Sequence, residues 1–181
     1  MAIRDILIYP GDEATLRQKS ALVKKLDASI KGLIADLKET LLVKPGAGLS
    51  APQIGVFLRA AAVRFGQDEG EMGEPKVFIN PQIVKRGPLV KGFDGCLSLP
   101  NVCTWDTLRP AWIVFTAKDE NWRTVRLKVE GIDARLIDHE VDHLDGKLFL
   151  DLLRPGAKLY LATKDEKGED KLVQINRMPG E

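Results

Sequence analysis

The sequence predicts an α+β domain: mixed or antiparallel strands packed around a central HExxH helix, with a long amphipathic helix nearer the N-terminus. Three observations predict it. Apolar residues recur at steps of three and four from Val23 to Leu41, several short strand-like runs follow, and a helix rich in apolar flanks comes after them. Strands gathered in a run, with helices outside the run, point to α+β and not to an alternating βα fold.

Val23, Leu26, Ile30, Leu33, Leu37 and Leu41 mark one face of the first helix, with Lys24, Lys25, Asp27, Lys31 and Lys38 between them. It should end before Lys44-Pro45-Gly46, because proline disfavours helical geometry in the preceding residue and glycine lets the chain turn. Strand-like runs cover residues 59–65, 77–84, 112–118 and 124–129. The last alternates, with Val125, Leu127 and Val129 on one face and Thr124, Arg126 and Lys128 on the other. The acidic stretch 67–75 reads as a solvated loop. A second helix covers residues 132–144, residues 164–171 form an exposed turn, and a last strand falls at 172–175. There is no internal repeat and no linker. The 181 residues read as one domain, with 156–181 a C-terminal extension.

Composition narrows the partners. Lys and Arg number 27 against 26 Asp and Glu, so overall charge makes no case for nucleic acid. No run approaches the roughly 18 apolar residues of a membrane span, and MAIRDILIYPGDE lacks the shape of a signal peptide. Two cysteines, Cys96 and Cys103, are too few for a disulfide framework; a reducing, cytoplasmic setting is expected.

The only two histidines lie in HEVDH, residues 139–143. Four residues along a helix differ by about 40° around its axis, so His139 and His143 project from one face over successive turns. Their ring nitrogens can converge on one metal ion while Glu140 reaches a water beside it. A solvated helix carrying these residues by chance is the plainer alternative, but Leu136, Ile137, Val141 and Leu144 imply burial, and buried imidazoles need partners. Zinc proteases with this pattern take a third ligand downstream, where this chain offers only Asp145 and Asp151, both too close. Upstream, Cys96 in FDGCLSLP is the better candidate, since a thiolate binds zinc or ferrous iron strongly and Gly95 lets the backbone approach. A closed four-ligand site using Cys103 as well is the competing arrangement; it would leave Glu140 without a task. A third segment, GAGLSAPQIG at 46–55, half-resembles a dinucleotide loop, but it follows a helix and carries Pro52.

Taken together, GAGLSAPQ, DGCLS and HEVDH resemble the peptide deformylase family, whose motifs follow in this order at about these spacings. ILIYP followed by LR, and LDGKLFLD, match too, so the resemblance covers about residues 6–155. It implies a metal-dependent hydrolase that removes the N-terminal formyl group from N-formylmethionyl peptides of nascent proteins, with a transient ribosome contact. A related hydrolase acting on a different formamide or amide is the alternative. The resemblance assigns Cys96, His139 and His143 to one ion per chain, Fe2+ with Zn2+ or Ni2+ able to replace it. It makes Glu140 the general base and acid, and gives the oxyanion to the Gln53 amide and the Leu97 N–H. Ala47, Gly48 and Gly95 would pair with the substrate backbone, and Ile132 and Leu136 would line the methionine pocket. Three departures stand out. Asp94 replaces the family's Glu, Ser50 replaces Ala, and PNVCTW lacks an arginine that bacterial members often carry near Val102 or Cys103. Arg109 matches a later arginine if one residue is inserted. Arg135 is expected to reach solvent, and the tail after Pro155 does not read as a ribosome-docking helix.

Overall fold

The structure, a computed structural model, describes residues 2–66, 72–165, 167–176 and 178–180. Residues 67–71 of the expected acidic loop lie outside them. The first helix is one turn, α1 (Glu13–Leu16). The helix expected from Val23 onward begins only at Ala28, as α2 (Ala28–Val43). The Asp27 carboxylate accepts from the Ile30 amide at 3.1 Å and starts it there. Val23 is instead pinned in extended chain by Asn80, whose side-chain amide bonds both its N–H and its C=O, at 2.9 and 2.8 Å. The helix stops at Val43, with Lys44 extended ahead of Pro45.

Among the described residues nine strands follow: β1 (Gly48–Ser50), β2 (Ala60–Val63), β3 (Lys76–Arg86), β4 (Leu89–Cys96), β5 (Leu99–Pro110), β6 (Trp112–Lys118), β7 (Thr124–Glu130), β8 (Leu159–Lys164) and β9 (Asp170–Ile175). They form two antiparallel sheets, ordered β1-β2-β3-β6-β7 and β4-β5-β8-β9. The third helix, α3 (Gly131–Leu144), packs against strands of both. Alternation along β3 sets up the layers. Val77 and Ile79 join Ile30, Leu33, Leu37 and Leu41 of α2, whereas Phe78 joins Phe115 and, from α3, Ala134, Ile137 and Val141. Leu99, Val102, Leu148, Phe149 and Leu159 build a third cluster under the second sheet.

Val125, Leu127 and Val129 share one face of β7, whose register against β6 is unbroken, although Leu127 stays 36% exposed while Val125 and Val129 pack against the core. One expectation needs correction. The long β4–β5 hairpin has no counterpart among the expected strands. Its buried positions hold Asp94, Thr104, Thr107 and Arg109, so the apolar alternation that announces a strand is missing. The segment after Pro155 joins the second sheet through β8, which pairs Val102 with Leu161 and Cys103 with Tyr160. No helix among the described residues is long and apolar enough to cross a membrane.

Candidate metal centre

On α3, His139 and His143 are both buried, and their Nε2 atoms lie 3.1 Å apart. Cys96 ends β4 at a tight turn into β5, where the register slips between Gly95↔Cys103 and Cys96↔Leu99. That slip brings its Sγ to 3.2 Å from His143 Nε2. The three donor atoms all lie within 4.8 Å of one another. Two imidazoles and a thiol at these separations form a donor set suited to zinc or ferrous iron, so the residues fit a single ion. Cys103, paired across the hairpin with Gly95, is not in this group.

Behind the donors lies a buried ionic cluster. His139 Nδ1 meets Asp94 Oδ1 at 2.7 Å, which places a ring proton on Nδ1 and turns Nε2 toward the other donors. Asp94 Oδ2 accepts from Arg109 Nε at 2.6 Å. Arg109 Nη1 donates to Asp138 Oδ2 at 2.9 Å and Asp142 Oδ2 at 2.7 Å, and none of the Arg109 side chain is exposed. Burial opposes ionisation of Asp94, but His139 and Arg109 hold its carboxyl well below the usual range. Burial likewise opposes a charge on Arg109, yet its three carboxylates raise it further. His139 is raised by Asp94 against the cost of burial, whereas burial and the neighbouring cations lower His143. Burial lifts Asp142 despite Arg109.

Arg135 does not reach solvent. It is 7% exposed and donates to Thr107 Oγ1 and the Val90 carbonyl, each at 2.9 Å. A Cβ at residue 92 would come within 2.7 Å of its guanidinium, so Gly92 makes room for it. Arg109, Asp138 and Asp142 do not emerge as site residues from the sequence. The signal is nonetheless there: two aspartates four apart, flanking buried histidines on one helix, require a cation.

Glu140 is 3% exposed, its Oε2 has no hydrogen-bond partner among the described residues, and burial pushes its carboxyl up to about 7. A Cβ on residue 48 would lie 2.1 Å from Glu140 Oε1, so only glycine lets β1 pass this close. Gln53 stands in the short turn Ala51–Ile54. Its Oε1 accepts from the Ser50 amide at 2.9 Å and the Ser50 hydroxyl at 3.0 Å, which turns Nε2 toward Ser98 Oγ, at 3.1 Å, and Cys96 Sγ, at 3.5 Å. Ser50 thus orients the amide. Leu97 follows Cys96 in the turn, and its side chain packs on the α2 core. One cavity of about 900 Å³ is lined by Gln53, Cys96, Leu97, His139 and Glu140 and also by Ala47, Gly48, Gly95, Ile132 and Leu136. His143 lies behind this lining, 1% exposed.

The raised Glu140 carboxyl has a consequence for the metal-free protein. Between its ordinary value of 4.5 and about 7, the folded protein holds a proton that the unfolded chain releases. Stability contributed by Glu140 therefore falls as pH rises through that window and levels off above it. Glu140→Gln removes this contribution. Urea midpoints of both proteins at about pH 5 and about pH 8 check it. A constant difference between them overturns the assignment.

A Cys-His-His donor set with both imidazoles buried, beside a carboxyl whose Oε2 has no partner among the described residues in an open cavity, is the arrangement expected of a mononuclear metal-dependent hydrolase. Comparison with known proteins narrows the class. The model of the polypeptide deformylase family matches residues 3–158. A peptide deformylase of Alkalilimnicola ehrlichii is 38% identical over 167 residues, 92% of this chain and 91% of the relative. One from Caldicellulosiruptor bescii is 40% identical over 152 residues, 83% and 86% of the two chains. Among solved structures, the peptide deformylase of Thermus thermophilus superposes with TM-score 0.76 at 36% identity, covering 85% of this chain and 88% of that one. The Ehrlichia chaffeensis enzyme in complex with actinonin gives 0.77 at 35% identity, covering 85% and 90%. The chain belongs to the polypeptide deformylase family, enzymes that remove N-formyl groups from nascent peptides. These likenesses support that activity over a related hydrolase acting on another amide.

Proposed function

We propose that Cys96, His139 and His143 hold one ion per chain, ferrous iron with zinc or nickel able to replace it, and that Glu140 carries the protons of formyl-peptide hydrolysis. One observation carries this reading: three donor atoms within 4.8 Å share a cavity with the buried, unpartnered Oε2 of Glu140. When bound, the ion would supply Lewis acidity, polarising the formamide carbonyl and acidifying a water. Glu140 takes a proton from that water as its oxygen bonds to the formyl carbon. The Gln53 amide and the Leu97 N–H face the developing oxyanion. Glu140 then gives the proton to the leaving nitrogen, the C–N bond breaks, and formate departs from a free N-terminus.

Ala47, Gly48 and Gly95 present backbone to the extended peptide, while Ile132 and Leu136 flank the methionine side chain in the same cavity. The His139 ligand is held by α3, the helix around which we read the strands of both sheets to be arranged, and α2 is the long amphipathic helix on the outer face. We read all 181 residues as one domain, with 156–181 as an extension that closes the second sheet through β8. A cytoplasmic setting and a transient ribosome contact follow from a nascent-chain substrate, and both cysteines are free, in keeping with a reducing compartment.

Protein loaded with iron and kept free of oxygen is expected to release formate from formyl-Met-Ala-Ser in step with its metal content. Iron-loaded protein that releases none overturns the proposal.

A further inference from the structure

The five-stranded sheet has two unlike faces. Ile113, Phe115 and Ala117 of β6 turn inward to α3, so the residues between them turn outward. On that outer face α2 covers Val77 and Ile79, at the start of β3. Farther along, the outward residues of β3 and β7 are exposed: Gln82, Lys85, Arg126 and Lys128.

Register gathers positive charge there. Val114 stands between Lys85 and Lys128, Thr116 opposite Arg126, and Lys118 opposite Thr124. Directly paired residues share a face, so Lys85, Lys118, Arg126 and Lys128 rise from one surface. With strands about 4.8 Å apart and alternate residues roughly 6.7 Å apart, the four span about 10 by 13 Å. Lys128 meets Glu130. Lys85, Lys118 and Arg126 pair with no carboxylate among the described residues; Lys118 Nζ donates to Thr124 Oγ1 at 2.7 Å instead. The acids are committed elsewhere. Asp94, Asp138 and Glu140 are buried at the metal centre, and Glu120 turns to Lys38 and the Val77 N–H. A chain of net charge +1 thus carries a local cationic face.

From this segregation we propose that the outer face of β3, β6 and β7 is a docking surface for the phosphate backbone of an RNA duplex. The choice of RNA rests on the deformylase reading, because a nascent-chain substrate issues from a particle built largely of RNA. A double helix carries one negative charge per about 1.7 Å of its axis, so a patch of this size meets several phosphates at once. Trp112 and Val114, between the cations, are half-buried, and Lys128 Nζ lies 5.4 Å from the Trp112 ring centroid. The face therefore offers charge without the apolar wedge that seats a protein in a bilayer. None of the residues lining the catalytic cavity comes from these three strands, so RNA held here leaves the cavity open. A charged face that serves solubility alone is the competing account.

The test follows the fluorescence anisotropy of a labelled RNA duplex of about 16 base pairs, titrated with the full chain. The expected Kd rises roughly tenfold when salt doubles from about 50 to about 100 mM, the dependence set by about four phosphate contacts. Lys85→Glu combined with Arg126→Glu should weaken binding by more than about tenfold and lower the salt slope by about two. Formate release from formyl-Met-Ala-Ser by the iron-loaded double variant should stay unchanged. Arg154→Glu combined with Lys171→Glu makes the same change in net charge on exposed positions outside the face and should leave duplex binding near that of the unmodified protein. Equal weakening by both pairs overturns the assignment to this face. No duplex binding by the unmodified protein at low salt overturns the inference while the deformylase reading stands. Tighter binding to vesicles of phosphatidylcholine and phosphatidylserine than to the duplex overturns it in favour of a membrane. Duplex binding lost in the first pair, with no formate released by any of the proteins, supports the surface and overturns the deformylase reading.

Discussion

Glu140→Ala lowers formate release from formyl-Met-Ala-Ser by about 10²–10⁴-fold and leaves close to one metal ion per chain. The first half follows from position. Glu140 stands one residue after His139 of the candidate donor set, 3% exposed, with Oε2 free of any hydrogen-bond partner among the described residues and a carboxyl raised to about 7. A carboxylate so poised near neutral pH can both accept and return a proton, and alanine can do neither. The second half follows from the donor set, which is Cys96, His139 and His143 and does not include Glu140. Steady-state formate assays with metal analysis of the same sample read both quantities. Activity within a factor of a few of the unmodified enzyme removes Glu140 from the reaction. Loss of metal together with activity would make it a support for the ion instead. Glu140→Gln, close in shape, separates a lost proton carrier from a collapsed cavity.

Arg109→Leu destabilises the fold by about 3–5 kcal/mol, the usual cost of stranding buried charges by removing their partner. Three carboxylates lean on this guanidinium: Asp94 at 2.6 Å, Asp138 at 2.9 Å and Asp142 at 2.7 Å. All four residues are buried or nearly so, and Arg109 is wholly so. Leucine matches its aliphatic stem but leaves the carboxylates facing one another. Denaturant unfolding of the metal-free protein gives the loss directly. A midpoint unchanged from the unmodified protein contradicts this account of the cluster. The same substitution should weaken metal binding about 10–100-fold, because Asp94 then lacks the partner that aims it at His139 Nδ1. The deficit should shrink at low pH, since burial already raises Asp142 and a protonated carboxyl no longer needs Arg109.

Asp94 illustrates how a residue visible in sequence acquires meaning only in three dimensions. A lone aspartate beside Gly95 and Cys96 leaves its partner unstated in sequence. Folded, it bridges a histidine ring and a buried arginine, and it sits on a strand whose bulge brings it to both. Arg135 shows the reverse. An arginine on a helix ordinarily keeps its head in water, but Gly92 leaves a gap, and Thr107 and the Val90 carbonyl satisfy the guanidinium there. Val23 and Leu26 keep helical spacing without being helical, because Asp27 caps the chain after them and Asn80 holds Val23 to the sheet.

The amino-acid sequence by itself determined the chemistry. Two histidines four apart, a glutamate between them and a cysteine beside glycine are local patterns, and helix geometry alone makes two of the donors converge. It also determined α2 from Ile30 onward and the apolar strands, where side-chain period reports the buried face. Only the tertiary structure decided what stands behind and beyond the donors. The β4–β5 hairpin is buried on polar residues, so no period announced it; its partners are His139, an ionic cluster and the ring of Tyr160 on β8. Burial of a charge or an exposed ring is set by what folds against it, and that is a property of pairs the linear order does not name.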